Sequence, residues 1–374
     1  MRDANVLAID SRLRYLGRWL LSSIERTVLN TEDAPPARHG RATLKRISEI
    51  TGLHVSTVSR VLRQSEPPDG WTNSAQLIRA TAEDLGYQPN PWAASLRTRQ
   101  TRILGAVMPR LTDGVVATMF EGIQEAADAM GYSVILSSPA DTLEEMRKAV
   151  DIIMSRQVDG LLLSSLHTPG KEFLNSLDLD GAPVILLNRH AECEVEAVTN
   201  DDFHGGELVA ELLITLGHRK YGVIAGPPHA SSANDRVRGF LAGLRKSGIV
   251  VNPDQVAASG FEVSGGILAG RTLLTRADRP TAIFAINDTA AIGALGVARD
   301  LGIAVPAELS IVGFNDSPVS AQLSIALTTV RSQPKLVGET AVGLLLRKIV
   351  GEPVSSAKLG VELIVRGSTA RASR

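Results

Sequence analysis

Residues 43–62 read TLKRISEITGLHVSTVSRVL, two short helical patterns on either side of a single glycine. Leu44 and Ile47 fall on one face of the first pattern, Gly52 permits a sharp turn, and Val58, Val61 and Leu62 line the second. Ser48 is small enough to let the two helices approach closely. This is the spacing of a helix-turn-helix, whose second helix lies in the major groove with its first residues against the base edges. Its outer face offers His54, Val55, Ser56, Thr57, Ser59 and Arg60. Hydroxyls suit phosphate oxygens, and an arginine suits guanine O6 and N7. The alternative at this point is a plain helical hairpin with a polar outside.

Charge is distributed in a way that favours the groove. The 374-residue chain carries a net charge of −1, yet residues 38–102 hold ten basic side chains against five acidic ones. Residues 1–37 balance at five of each, so the remainder carries 24 basic against 30 acidic groups. A basic head on an acidic body is the footprint of nucleic-acid binding by the head alone.

Beyond the pair, TNSAQLIRATAEDLGY (residues 72–87) reads as a third helix, capped by Thr72 and stopped near Gly86, with Leu77, Ile78 and Leu85 closing a small core. In QPNPWAASLRTRQT (residues 88–101), Pro89 and Pro91 break the helix. The AASL that follows is too short and polar to stay helical alone, so this segment is either a linker or something that orders on binding.

From Ile103 onward, apolar β-like runs alternate with helical patterns: ILGAVM, YSVILSS, GLLLSS and VILLNR, then YGVIAG, AIFAIN and LSIVGF, with segments such as FEGIQEAADAM and VRGFLAGLRKSG between them. The rhythm is that of an α/β protein with parallel sheets wrapped by helices, in two halves with a cleft between them. Ligands bind such folds at the carboxyl ends of the strands. The strand ends offer Asn188 and Arg189, Asn287 and Asp288, and Asn315 and Asp316, side chains whose donors and acceptors suit a polyhydroxyl ligand. Asn287 and Asp288 would equally cap the next helix.

TLKRISEITGLHVSTVSRVL, then LGYQPNPWAASLRTRQT, then this body together resemble the LacI/GalR family of bacterial transcription regulators, from about Thr43 to the end of the chain. The resemblance implies a helix-turn-helix head, a hinge helix that folds on operator DNA with Leu96 wedged into the minor groove, and a core like the periplasmic sugar-binding proteins with two doubly wound parallel-sheet subdomains. It matches Arg236 in DRVRGF to an arginine that anchors the effector, Asn287 to an asparagine contact and Phe261 to an aromatic wall. A surface ion pair is the competing reading of Arg236. Three departures stand out: His54 where a serine commonly begins the recognition helix, Asn315 where an aspartate is usual, and Val115 and Val116 where aromatics are frequent. The expected division is 1–40 as an extension or a misassigned start, 41–88 as the DNA-binding head, 89–101 as the hinge and 102–370 as the effector-binding and dimerisation core.

The expectation is therefore a ligand-responsive repressor that binds palindromic operator DNA as a homodimer, two-fold protein on two-fold site. Its effector would be a sugar, a sugar derivative or a nucleoside. The rival is a small-molecule binding protein, or a sugar-modifying enzyme, with an incidental helical head. Against an enzyme, no Gly-x-Ser-x-Gly elbow, phosphate-cradling loop or His-Glu-x-x-His site occurs, so no catalytic residues, metal or cofactor are expected. His218 in LGHRKYG reads as a C-terminal helix cap. Cys193 is the only cysteine, which excludes disulfides and cysteine metal clusters and suits a reducing interior. The apolar run in RYLGRWLLSSIERTVL is short and broken by Arg18 and Glu25, so neither a secretory signal nor a membrane span is expected and the protein is read as cytoplasmic. The polar end RGSTARASR lacks a heptad tail and favours a dimer over a tetramer.

Overall fold

The computed structural model describes residues 42–64, 71–87, 100–164, 170–191 and 193–372. Most of the expected hinge, with Leu96, lies outside them, as do the first forty residues. The chain divides into two compact units, Met1–Pro91 and Trp92–Arg374.

Among the described residues, the first unit holds three helices: α1 (Leu44–Thr51), α2 (Val55–Val61) and α3 (Asn73–Asp84). Thr43 caps α1 by accepting the Arg46 N–H at 3.2 Å, and Gly52 ends it at a φ of 68°, a left-handed turn that costs glycine little. Ser48 then ties the turn down by donating its hydroxyl to the Leu53 carbonyl at 2.6 Å. Ile47, Val58, Val61, Ala75, Ile78 and Ala82 form the buried core, with Leu44, Leu53, Leu62, Trp71, Leu85 and Tyr87 packed around it. Leu77 does not join it; the residue is 50% exposed. Ala75, Ile78 and Ala82 share one helical face at spacings of three and four, which leaves position 77 about 100° off that line.

The second unit holds two six-stranded sheets. The first lobe contains β1 (Ile103–Val107), β2 (Ser133–Ser137), β3 (Gly160–Leu163), β4 (Val184–Leu187) and β5 (Ala197–Asn200), with α4 (Gly114–Ala129), α5 (Leu143–Met154) and α6 (Gly170–Asn175) between them. The second lobe contains α7 (Asp202–Thr215), β6 (Tyr221–Ala225), α8 (Ser231–Lys246), β7 (Val256–Ala258), α9 (Val263–Leu274), β8 (Ala282–Ala285), α10 (Asp288–Asp300), β9 (Ser310–Asn315) and β10 (Thr328–Arg331). The chain then returns: α11 (Pro334–Ile349) and β11 (Ala357–Leu359) complete the first lobe, and β12 (Glu362–Ile364) completes the second. Strand orders are β11-β5-β4-β3-β1-β2 and β12-β10-β9-β8-β6-β7, all parallel except β10 against β12. β3, β4 and β8 are buried along their whole length, as strands covered by helices on both faces must be.

Reciprocal glycines bring the covering helices together. A β-carbon on Gly206 of α7 would stand 2.1 Å from the Arg236 carbonyl oxygen of α8, and one on Gly239 of α8 would stand 1.9 Å from the Phe203 carbonyl oxygen of α7. The same reciprocity joins α4 to α11 through Gly122 and Gly338, and α9 to α10 through Gly266 and Gly293.

Three crossings connect the lobes, and hydrogen bonds gather them. The Gln333 N–H donates to Asn200 Oδ1 at 2.9 Å, the Gln333 side chain donates to the Gly360 carbonyl at 2.7 Å, and the Asp201 N–H donates to the Leu359 carbonyl at 2.8 Å.

His218 is not the dipole cap expected of it. Its N–H does close the end of α7 on the Leu213 carbonyl at 3.2 Å, but the ring is buried between strands. Nε2 donates to the Ala370 carbonyl at 3.1 Å, which leaves Nδ1 to accept from the Thr281 hydroxyl at 3.0 Å. Burial pushes its pKa below 6.5, so the ring is a neutral bridge pinning the C-terminal segment to β8 and β9.

Candidate functional site

Two sites follow from this architecture, one in each unit. In the first, α2 turns Val58 and Val61 inward and leaves His54, Val55, Ser56 and Arg60 exposed, with Thr57 and Ser59 half-buried. His54 caps the helix where a serine was the common expectation: its Nδ1 accepts the Ser56 N–H at 3.3 Å and lies 2.7 Å from the Ser56 hydroxyl. The hydroxyl of Ser56 is therefore engaged at the helix start. Arg63, beyond the expected set, is exposed and reaches back to the Ser59 carbonyl at 2.8 Å.

The second site is the cleft between the lobes, at the carboxyl ends of the strands. Four non-glycine residues there have left-handed backbones: Arg110 (φ 60°) after β1, Asn188 (φ 59°) after β4, and Asn315 (φ 108°) and Asp316 (φ 55°) at the end of β9. Such conformations are costly and concentrate where side chains must be aimed.

Phe261 rises from the second lobe over a small apolar floor of Ala230, Ala233 and Ile286. Against it stand two guanidinium groups of the first lobe, Arg110 with its Cζ 4.2 Å and Arg189 with its Cζ 6.0 Å from the ring centroid. Asp141, after β2, is shared by three basic side chains: Arg189 at 3.3 Å, His229 at 3.5 Å and Arg110 at 3.9 Å. Arg110 also reaches across to Glu262 at 3.8 Å, and Glu262 is 59% exposed. Desolvation by burial holds the Arg189 pKa below its ordinary value; the charge of Asp141 opposes this and that of Arg110 adds to it.

Arg236 lies deeper, at 3% exposure. Its Nε donates to Asp202 Oδ1 at 2.7 Å, its Nη1 donates to the Ile286 carbonyl at 2.8 Å, and its Cζ sits 3.8 Å from the Phe314 ring centroid. It is thus ion-paired, but in the interior rather than on the surface. Burial raises the pKa of Asp202 while Arg236 opposes that rise. Asn287 caps α10, its Oδ1 accepting the Ala290 N–H at 2.8 Å, and its amide donates to the Phe261 carbonyl at 2.9 Å. Asp288 accepts from the Thr329 hydroxyl at 2.5 Å and from the Ser317 N–H at 2.6 Å. Asn315 accepts from Ser332 at 3.4 Å, and Asp316 is held by Arg331 and Arg366.

A second cross-lobe link runs behind Arg189. The His190 N–H donates to the Ser231 hydroxyl at 2.9 Å, and its ring meets Asp235 at 2.7 Å. Beside it a cavity of about 360 Å³ is lined by His190, Thr199, Asn200, Asp202, Asp235 and Lys358 among others. No group of three or more His, Cys, Asp or Glu side chains among the described residues is placed to hold a metal ion.

Arg189, Phe261, Asn287 and Arg236 thus come together around the cleft, while Arg110, Asp141, His229, Glu262 and Asp202 were not anticipated. Arg110, Asp141 and His229 each follow a strand, after β1, β2 and β6, so the strand-end rule that picked out Asn188 and Asn287 would have reached them.

A helix-turn-helix unit in one chain with a two-lobed, cleft-bearing α/β core defines a class of proteins in which a small molecule governs DNA binding. Residues 210–369 match a periplasmic binding protein-like domain. The chain is 32% identical to the ribose operon repressor of Haemophilus influenzae over 312 residues, covering 82% of this chain and 92% of that one. It is 29% identical over 331 residues to the HTH-type transcriptional repressor CytR of Escherichia coli K12, covering 88% and 96% respectively. Its fold is similar to the lac repressor dimer bound to operator and the anti-inducer ONPF, with a TM-score of 0.81 and 25% identity over 88% of this chain and 99% of that one. The chain belongs to the LacI family of transcriptional regulators. It is a ligand-responsive DNA-binding repressor, not an enzyme.

Proposed function

We propose that this chain represses transcription as a homodimer on a palindromic operator, with residues 41–88 as the DNA-binding head, 89–101 as the hinge, 102–370 as the control core and 1–40 as an extension. The observation that carries this is the cleft itself, where Arg110 and His190 of one lobe grip Glu262 and Asp235 of the other beside a buried Arg236. A sugar, sugar derivative or nucleoside bound there, against Arg189, Phe261, Asn188, Asn287 and Asn315, changes the lobe arrangement; control requires only that it bind the two arrangements unequally. The head reads DNA through His54, Val55, Ser56, Thr57, Ser59 and Arg60, and Leu96 enters the minor groove from the hinge. Such a repressor works in the cytoplasm; no helix among the described residues is long and apolar enough to cross a membrane.

The test is a fluorescence-anisotropy titration on palindromic fragments, with and without candidate effectors. Arg60→Ala is expected to cost about 1 to 3 kcal/mol at the cognate site and to relax the preference at one base pair. An equal loss on random DNA would make Arg60 a phosphate contact instead.

A further inference from the structure

The charge arrangement around Phe261 points to the chemistry of the effector, on the reading of the cleft as the effector site. Neutral polyols are gripped by mixed donors and acceptors, and carboxylates serve that purpose well. This cleft is built differently. Arg110 and Arg189 both bring guanidinium groups from the first lobe to the same aromatic ring of the second. Asp141 is divided among Arg189, His229 and Arg110. Arg110 Nε is buried without a hydrogen-bond acceptor, and its other carboxylate among the described residues is Glu262, an exposed group 3.8 Å away that water screens.

Interlobe glue alone does not account for this. Arg189 is buried and Arg110 is partly exposed, at 23% of its side chain, and glue between the lobes would call for an acceptor at the buried Arg110 Nε, which has none. Of the other acids near the strand ends, Asp113 caps α4 and adds its charge near Arg189, while Asp288 is committed to Thr329 and Ser317 and Asp316 to Arg331 and Arg366. The other strand-end side chains, Asn188, Asn287 and Asn315, are neutral. The backbone of Arg110 is held at a φ of 60°, in the left-handed region that non-glycine residues seldom adopt.

We propose that the effector carries a carboxylate, as a sugar acid does, seated between Arg110 and Arg189 against Phe261, where it takes the place of Glu262 as the counter-ion of Arg110. A planar carboxylate matches the guanidinium fork in shape as well as charge. Its displacement of Glu262 removes one of the links between the lobes, so binding and lobe movement share a single contact.

The experiment uses the full chain, with calorimetry and thermal shift on D-gluconate, D-glucuronate and D-galacturonate beside D-glucose, D-galactose, D-ribose, adenosine and D-glucose 6-phosphate. At least one acid is expected to bind and raise the melting temperature while its neutral parent does not. Arg110→Gln is expected to weaken that acid by about tenfold or more and Arg110→Lys to weaken it less, since a charge-assisted hydrogen bond is lost in the first and partly kept in the second. Glu262→Gln, which removes the competing carboxylate, is expected to tighten the acid about threefold or more without altering any neutral sugar. Should Arg110→Gln fail to fold, the Glu262→Gln result decides alone. Binding of a neutral sugar or nucleoside and of no acid overturns the carboxylate while leaving the cleft as the effector site. Tighter binding of the 6-phosphate than of every acid likewise overturns it, and so does silence from every acid tested. Acid binding that ignores Arg110→Gln, Glu262→Gln and Phe261→Ala alike places the ligand outside the cleft and removes both readings.

Discussion

Arg236, singled out in the sequence as an effector anchor, has a structural part to play as well. Its buried guanidinium is held by Asp202, by the Ile286 carbonyl and by the face of Phe314. Removing one partner of a buried pair strands the other, so Arg236→Ala is expected to cost about 3 kcal/mol or more in urea denaturation. A loss of effector response in that variant would therefore arrive together with a loss of stability. The motif DRVRGF made the arginine legible. Its partner was not, because Asp202 opens α7 while Arg236 lies on α8, and only the packing of those helices brings them together. Leu77 failed for a related reason: composition marks an apolar residue, but which face of a helix meets the core depends on its neighbours.

At the level of elements, the glycine pairs decide how closely the helices approach. Gly239→Ala would drive a β-carbon to 1.9 Å from the Phe203 carbonyl oxygen, and α7 and α8 would have to separate. A loss of about 3 kcal/mol, or insoluble expression, is expected. Gly343 in α11 has nothing within 4 Å of its added β-carbon, so Gly343→Ala is expected to stabilise by about 0.5 to 1 kcal/mol through helix propensity. Comparing the two melting temperatures separates close packing from backbone entropy. These glycines also explain which elements were hard to read. VSGGILAGRTLL and LVGETAVGLLLRKI carry glycines that argue against a helix locally, whereas Gly266 and Gly338 are what lets α9 and α11 pack. β5, β10, β11 and β12 are only three or four residues long and lack the apolar runs that revealed their neighbours.

The link from His190, after β4, to Asp235 on α8 is a titratable element of the cleft. The hydrogen bond that His190 donates to the Asp235 carboxylate raises the His190 pKa above 6.5, with burial opposing and the charges of Asp235 and Asp202 reinforcing; Lys358 pulls the other way. A raised folded-state pKa means that the contribution is complete below 6.5 and is lost as pH climbs through the folded value. His190→Gln should flatten the decline of the urea midpoint above pH 6.5. An unchanged slope would show that the link carries no proton-dependent stability. His218 acts with the opposite sign, because burial lowers its pKa and stability falls as pH drops below 6.5.

Over the whole molecule, the head, the alternating α/β rhythm and the two lobes were legible because each rests on local periodicity or on charge counted along the chain. The return of residues 334–364 through both lobes was not, since nothing local distinguishes a strand that pairs with its predecessor from one that goes back across the molecule. That return, gathered by Asn200, Asp201, Gln333 and Gly360, has a consequence during synthesis. A nascent chain completes the head early, but neither sheet receives its last strand until β11 and β12 have left the ribosome. Chains stalled after residue 331 are expected to show a protease-resistant head and a digestible body, with protection of both lobes arriving in one step at full length. A premature stop codon in residues 334–364 would therefore release a product that still carries the DNA-reading helix and has lost the machinery that tells it when to let go.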